Sequence, residues 1–418
     1  MQGMKKCIIV SFDLIREGEV EQSLSTASII SFLRRKEGYN SAFQIEHISL
    51  NMLTMPLNSI AYFEDRFRLV DFAKIDTLAV SAYIWNEYLL VPFIKFVRTN
   101  GFRGKIVMGG YQISYSNAQQ LAIDYPFADI FISGYGELSM LTAIETPFVN
   151  EKTFLNEQLS FGELPSPYLT GDITVTNGQP MLRFETKRGC PYRCTFCAHR
   201  DLSTNKVHRH PLEKVFEEIA FFKDKNVKRI NILDPIFNVG KDYLTILKEM
   251  VRVGLHAEIT LQTRFEQITG DAGQEFINLC EQLNVTLEFG LQTVVEKEYS
   301  VINRRNDPKK VKTAMELVNS SSIKHEISLI YGLPNQTPDS FRTSIEFARE
   351  MGAKDIKAWP LMLLKGTELH DEKQKWGMRE KVVGEFDIPL VVESNSFTEN
   401  QWWEMREIAE SLLPSHRI

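Results

Sequence analysis

What this 418-residue chain lacks narrows the field first. No run approaches the roughly 18 apolar residues that a membrane-spanning helix needs. The first ten residues hold two lysines and a short apolar strand, without the apolar core and small-residue cleavage site of an export signal. A cytoplasmic protein with no membrane partner is expected. Basic excess is missing too: 48 Lys and Arg against 54 Asp and Glu leave a formal net charge of -6, which gives no electrostatic reason to expect nucleic acid. A small-molecule substrate fits better. Cysteine is scarce, five in all, so no disulfide framework is expected. Three of the five fall within eight residues, a spacing that points to metal binding or catalysis. Internal repeats and low-complexity tracts are also absent.

What is present is an ordinary folded composition, 43% hydrophobic and 24% charged, in a chain long enough for two domains. From Lys5 to about Thr146, short apolar runs alternate with amphipathic stretches. Strands are expected at Cys7 to Val10, Gln44 to Ile48, Thr77 to Val80, Lys105 to Met108 and Asp129 to Ile132, with helices such as Glu21 to Arg35 and Glu87 to Thr99 between several of them. That rhythm predicts a doubly wound parallel sheet over residues 1–146. Prolines and glycines between Pro147 and Gly178 break it, and residues 147–180 read as a linker.

Residues 181–369 alternate again. Strands are expected near Arg183 to Thr186, Arg229 to Leu233, Ala257 to Gln262, Thr286 to Gly290, Glu326 to Tyr331 and Ile356 to Leu364, with five helices between them. Six such units predict a partial (β/α)6 barrel with its chemistry on the loops at the C-terminal strand ends. The charged, aromatic stretch 370–418, with Trp376, Trp402 and Trp403, is expected to form a cap.

The informative segment runs from Thr186 to Arg200, with Cys190, Cys194 and Cys197 just after the first barrel strand. Gly189 and Pro191 favour a loop there. Thiolates are the usual protein ligands of iron-sulfur clusters. Three ligands on a four-iron cube leave one iron open, as an inner-sphere reaction requires. A zinc site completed by His199 is the competing reading, and a non-catalytic metal-binding protein would follow from it. A large α/β barrel has little need of such a structural clip. Cys7 in a core strand and Cys280 on an apolar helix face read as packing residues.

Cys190-x3-Cys194-x2-Cys197, with Phe196 directly before the last cysteine, resembles the signature of the radical S-adenosylmethionine (SAM) superfamily. The resemblance covers roughly residues 180–370 and implies a 4Fe-4S cluster whose open iron is chelated by SAM, with an electron entering the sulfonium to give a 5'-deoxyadenosyl radical. It also implies a cofactor role for several barrel positions. Ile330 and Gly332 lie in the Ile327 to Thr337 segment that resembles the strand beside SAM adenine. Leu364 resembles the end of the sixth strand, a backbone contact. Glu288 and Gln292 resemble positions that meet ribose or methionine groups. Arg264 is placed to pair with the SAM carboxylate, and Asp234 and Asn238 sit where the family binds the SAM amine. The family expectation for an electron donor is a flavodoxin or ferredoxin.

The doubly wound domain resembles the cobalamin-binding domain of a large branch of that superfamily. Against the pattern Asp-x-His-x-x-Gly, Ser-x-Leu and Gly-Gly, this chain has Asp13-Leu14-Ile15-Arg16-Glu17-Gly18, Ser81-Ala82-Tyr83 and Gly109-Gly110. Ser81, Gly109 and Gly110 would line the crevice for a nucleotide-like tail, but Ile15 stands where the cobalt-ligating histidine would be. Cobalamin without that axial ligand, and a vestigial domain that only supports the barrel, both remain open. The resemblance implies modification of an unactivated carbon of a small molecule in specialised metabolism. The reaction is either methyl transfer from cobalamin or a cobalamin-independent oxidation, rearrangement or 3-amino-3-carboxypropyl transfer.

Overall fold

The computed structural model describes residues 3–56, 59–148, 151–199, 206–384 and 387–413. Arg200, positions 149–150 of the expected linker, and positions 385–386 and 414–418 of the expected cap lie outside them. The chain divides into two compact units, Met1–Val175 with residues 385–387, and Thr176–Gly384 with Ile388–Ile418.

The first unit is built on six parallel strands, β1 (Lys5–Asp13), β2 (Phe43–Asn51), β3 (Thr77–Ser81), β4 (Lys105–Gly109), β5 (Ile130–Ile132) and β6 (Thr153–Leu155), in the order β2-β1-β3-β4-β5-β6. Residues 7–12 of β1 are buried without a break, because helices cover both faces of a parallel sheet. Ile8, Val10, Phe12, Val80 and Met108 pack on the helix Glu87–Thr99. Cys7, Ile9, Ala79, Val107 and Ile132 pack on the helices Leu24–Leu33 and Gly136–Glu145. Strand order reverses between β1 and β3, which opens a crevice at their C-terminal ends.

Two differences from the sequence expectation have simple causes. The first helix is shorter than Glu21 to Arg35, because Ser23 already has extended backbone at its start. The stretch read as linker supplies β6 and the buried Phe161, Leu164 and Tyr168 of the first unit. A strand of three residues is too short to show alternation.

The second unit contains β7 (Leu182–Phe184), the short antiparallel pair β8 (Lys187–Arg188) and β9 (His208–Arg209), then β10 (Arg229–Ile232), β11 (Glu258–Thr263), β12 (Asn284–Gln292), β13 (Lys324–Tyr331) and β14 (Asp355–Pro360). The main sheet is parallel in the order β14-β13-β12-β11-β10-β7, an open partial (β/α)6 barrel. Along β12 every second residue, Val285, Leu287, Phe289 and Leu291, is fully packed against helices, while Thr286, Glu288, Gly290 and Gln292 between them are half-buried. The last strand ends at Pro360 rather than Leu364. Beyond it, the hairpin β15 (Arg379–Val382) and β16 (Pro389–Glu393) and the helix Glu399–Ser411 belong to the barrel unit. Trp402 is fully buried, its ring 5.7 Å from that of Tyr331.

Candidate functional site

The cysteine loop leaves the barrel through β8 and returns through β9, with Gly189 at φ +88° where a side chain would be strained. Backbone and side-chain bonds from other elements hold it. Thr195 donates from its amide to Ile302 O at 3.0 Å and from its hydroxyl to Val301 O at 3.0 Å, and accepts from the Leu369 amide at 3.0 Å. Asn303 Nδ2 donates to Arg193 O at 2.8 Å. Cys190 and Cys194 are buried, and Cys197 is partly so. Burial pushes the Cys197 thiol up to about 11, with Cys194 and Cys190 close enough to raise it further and Arg304 opposing them. Cys190 is raised by burial as well. The raised Cys190 and Cys197 thiols would release their protons on binding a metal cluster. Among the described residues, no three His, Cys, Asp or Glu side chains converge as a single-ion site would require. Phe196 is half-buried between the second and third cysteines.

Arg304 was not among the residues singled out from sequence, yet its side chain reaches the cysteine loop. Its Nη1 donates to Cys194 Sγ at 3.9 Å and its Nη2 to Gly290 O. Its Nε is buried with no partner among the described residues. The register of β12 slips between Gly290 and Gln292, a bulge that puts Gln292 at φ +68°. A side chain on Gly290 would meet Gln292 Nε2 at 2.6 Å and Arg304 Nη2 at 3.0 Å. Gln292 and Arg304 thus converge over Gly290, beside the cysteine loop.

Arg264 is buried rather than solvent-exposed. Its guanidinium lies 3.8 Å from the Tyr192 ring centroid and its Nε is 3.2 Å from Glu266. Gln267 Nε2 donates to the Tyr192 hydroxyl at 3.0 Å. Asn238 clamps the backbone of Arg264, donating to its carbonyl and accepting from its amide, both at 3.0 Å. Asp234 is fully buried. It accepts from the amides of Thr186 at 2.8 Å and Lys187 at 3.2 Å and from the Thr186 hydroxyl, with Lys187 Nζ at 3.9 Å. Burial nevertheless pushes its carboxyl up to about 6. Asp234 and Asn238 therefore hold the strand ends beside the loop, with their polar atoms engaged by protein.

At the next strand end, Gly332 has φ +89° and its amide donates to the fully buried Gln336 at 2.7 Å, while Gln336 Nε2 donates to Ile330 O at 3.1 Å. The carbonyl of Leu364 accepts from Thr367. Glu288 lies four residues back along β12 from Gln292, in register with Glu326; burial and that neighbour raise its carboxyl. Lys357 pairs with Glu326 instead. Cys7 and Cys280 are buried, and burial raises both thiols, as packing residues require.

In the first unit, Ser81 and Gly109 are register partners at the crevice. A Cβ on Gly109 would come no nearer than 3.7 Å to any protein atom outside its own neighbours, so packing within the chain does not demand glycine there. It leaves room above the sheet for a ligand. Gly110 is demanded by the fold, with φ +94° and Ala82 O only 2.6 Å from where its Cβ would lie. Ile15 is tied through both backbone polar groups to Asn51. These residues fit the tail of a corrinoid and provide no axial nitrogen from Ile15.

Comparison with known proteins agrees with this geometry. The Radical SAM superfamily matches residues 184–348. The chain is 22% identical, over 78% of its length and 55% of the relative's, to 2-(S-pantetheinyl)-carbapenam-3-carboxylate methyltransferase of Streptantibioticus cattleyicolor. It is 23% identical, over 73% of its length and 50% of the relative's, to the cobalamin-dependent radical SAM methyltransferase TokK of Streptomyces tokunonensis. The chain thus spans about half the length of these relatives. Its fold is similar to that of the radical SAM methyltransferase TsrM from Kitasatospora setae, solved with tryptophan substrate and a SAM analogue, at TM-score 0.71 and 12% identity over 98% of this chain and 90% of that one. It is also similar to OxsB, a cobalamin-dependent SAM radical enzyme solved with aqua-cobalamin and SAM, at TM-score 0.63 and 17% identity over 88% and 55%. With its cysteine loop beside the matched barrel segment, the chain is similar to the radical SAM superfamily over residues 184–348, and its fold is that of TsrM and OxsB.

Proposed function

We propose that this protein is a cobalamin-dependent radical SAM methyltransferase acting on an unactivated carbon of a small molecule in specialised metabolism. The observation that carries the reading is the cysteine loop. Its three neighbouring thiols stand at the C-terminal end of the first barrel strand, and the half-buried Arg304 guanidinium contacts one of them.

When bound, the cluster and cobalamin supply the electron that cleaves the SAM sulfonium and the methyl group to be transferred. The chain's own residues do the rest. Cys190, Cys194 and Cys197 would hold the cluster through three irons. Arg304 has a buried cationic donor in want of an acceptor and would hold the SAM carboxylate, with Gln292 beside it. Arg264, whose charge is already shared by Glu266 and the Tyr192 ring, steadies the loop. Phe196, Ile330, Gly332 and Leu364 would lie along the nucleotide. Asp234 and Asn238 position strand ends, and the half-buried Glu288 faces the barrel interior. Ser81, Gly109 and Gly110 would admit the corrinoid tail. Burial of the reacting atoms excludes water and fixes which carbon is reached. A flavodoxin or ferredoxin would donate the electron.

Anaerobic purification and cluster reconstitution, with and without cobalamin supplied, tests the reading through iron and corrin analysis and product detection. A brown protein that holds about four irons per chain and retains cobalamin, and that releases 5'-deoxyadenosine or S-adenosylhomocysteine, supports it. Turnover without bound corrin would instead favour cobalamin-independent radical chemistry. A colourless protein holding one zinc would overturn the assignment altogether.

A further inference from the structure

Buried polar side chains fill the space between the ends of β12 and β13. Thr293, Glu298, Gln336 and Ser344 are fully buried, and Asn306 is nearly so. The ladder between the two strands stops at Gln292 and Leu329. Beyond that point, side chains join one strand end to the other.

Glu298, on the short helix Glu296–Tyr299, is where they meet. Its carboxyl accepts from the Thr293 hydroxyl at 2.6 Å and from Gln336 Nε2 at 3.3 Å. On the β12 side, the Val295 amide donates to the Thr293 hydroxyl at 3.1 Å, and Asn306 Nδ2 donates to Leu291 O at 2.7 Å and Thr293 O at 3.2 Å. Thr293 directly follows Gln292, and Asn306 lies two residues after Arg304. The groups proposed to hold the SAM carboxylate therefore belong to this side. On the β13 side, Gln336 Oε1 accepts from the amides of Gly332 at 2.7 Å and Leu333 at 3.1 Å, and its Nε2 also donates to Ile330 O at 3.1 Å. Ile330 and Gly332 are residues proposed to lie along the nucleotide. Asn335 Nδ2 adds a second tie, donating to Lys297 O at 2.9 Å.

Packing alone does not call for an acid at this place. Burial outweighs the hydrogen bonds to Glu298 and raises its carboxyl, favouring the neutral form. An apolar side chain of similar volume would fill the space without that desolvation cost. What the hydrogen-bonded acid adds is direction, because a connected polar network holds the groups around it in one arrangement.

We propose that Glu298 is a positioning residue for SAM, its bridge to Gln336 setting the distance between the carboxylate end of the site at Arg304 and Gln292 and the nucleoside end at Ile330 and Gly332. Being fully buried, Glu298 acts through these neighbours. With the spacing held, engaging one end of SAM brings the other end to its partners, and the whole molecule binds more tightly than its halves. The inference rests on the SAM reading of the barrel.

The test uses the full chain with its cluster reconstituted. Equilibrium dialysis measures SAM and 5'-methylthioadenosine, which offers the nucleoside alone, and electron paramagnetic resonance of the reduced cluster records whether SAM still perturbs it. Expected in Glu298→Ala is a loss of SAM affinity of roughly tenfold or more, with iron content and methylthioadenosine affinity unchanged. Glu298→Gln, an amide of the same shape as the neutral acid, should restore SAM affinity. Unchanged SAM affinity in Glu298→Ala would overturn the proposal, as would an equal loss for methylthioadenosine, since that would mean general damage to the strand end. Should Glu298→Ala fail to hold iron, Gln336→Met cuts the bridge from the other side and carries the same expectations; failure of both to hold iron would assign the bridge to stability alone and overturn the proposal too. If wild type itself binds no SAM, the SAM reading falls, an outcome distinguishable from loss in the variants alone.

Discussion

Arg304 Nη1 lies 3.9 Å from Cys194 Sγ, although the two residues are 110 positions apart. The same guanidinium is anchored on Gly290 O and keeps one buried donor without a partner. Its position follows from folding: the strand end at Gly290 and the cysteine loop must both be in place before the arginine can bridge them. A charged group with an unused donor beside three thiols is the arrangement that the proposed SAM carboxylate contact needs.

Replacing Arg304 tests that. A charge-assisted hydrogen bond contributes about 1.5–3 kcal/mol, so Arg304→Ala should weaken SAM binding roughly ten- to a hundredfold while the protein still takes up iron. Equilibrium dialysis on reconstituted protein measures this. Unchanged affinity would move the carboxylate contact to another group.

Cys197→Ala removes one of the three thiols from the loop without disturbing either sheet. Iron incorporation and SAM cleavage should fall to background, while circular dichroism stays that of wild type. Full SAM cleavage by this variant would remove Cys197 from the ligand set.

Asp234 makes a pH-dependent contribution of definite sign. Its carboxyl titrates at about 6 in the folded protein because it is buried, with Lys187 and Thr186 opposing the rise, against about 3.9 in an unfolded chain. Between those values the folded state holds the extra proton. The contribution to stability is therefore complete below about pH 4 and is lost as pH rises through about 6. Asp234→Asn has no such titration. Wild-type stability relative to the variant should fall by on the order of 3 kcal/mol between pH 4 and pH 7, measured by denaturant unfolding of both proteins at several pH values. A difference that stays constant across the range would mean that the pair with Lys187 keeps Asp234 ionised throughout.

Asn238→Ala deletes the clamp on Arg264 and leaves a buried amide and a buried carbonyl without their partner. The expected cost is about 2–4 kcal/mol, seen as a lower unfolding midpoint. SAM affinity should fall less than in the Arg304 variant, because Asn238 acts only through the strand ends. A stability equal to wild type would show that water replaces the clamp.

Much of this protein could be read along the chain. Unbroken burial of residues 7–12 and alternation along β12 follow from local apolar patterning, and each strand's flanking helix can be inferred the same way. The cysteine loop is equally visible, since its three thiols lie within eight residues and need no distant partner to be recognised. The strand β6 could not be found by period, since three residues show none. Trp402 reads as part of a charged tail, yet it is buried against Tyr331 of β13.

The candidate site divides along the same line. By itself the sequence determined two parallel α/β folds, the thiol set and the missing imidazole at Ile15, because each depends on residue type at short spacing. Only the tertiary structure decided that Arg304 meets Cys194, that Arg264 stacks on Tyr192, that Asp234 and Asn238 are engaged by protein, and that Glu298 meets Gln336. Those relationships depend on which strand ends become neighbours, and that is set by packing of the whole sheet.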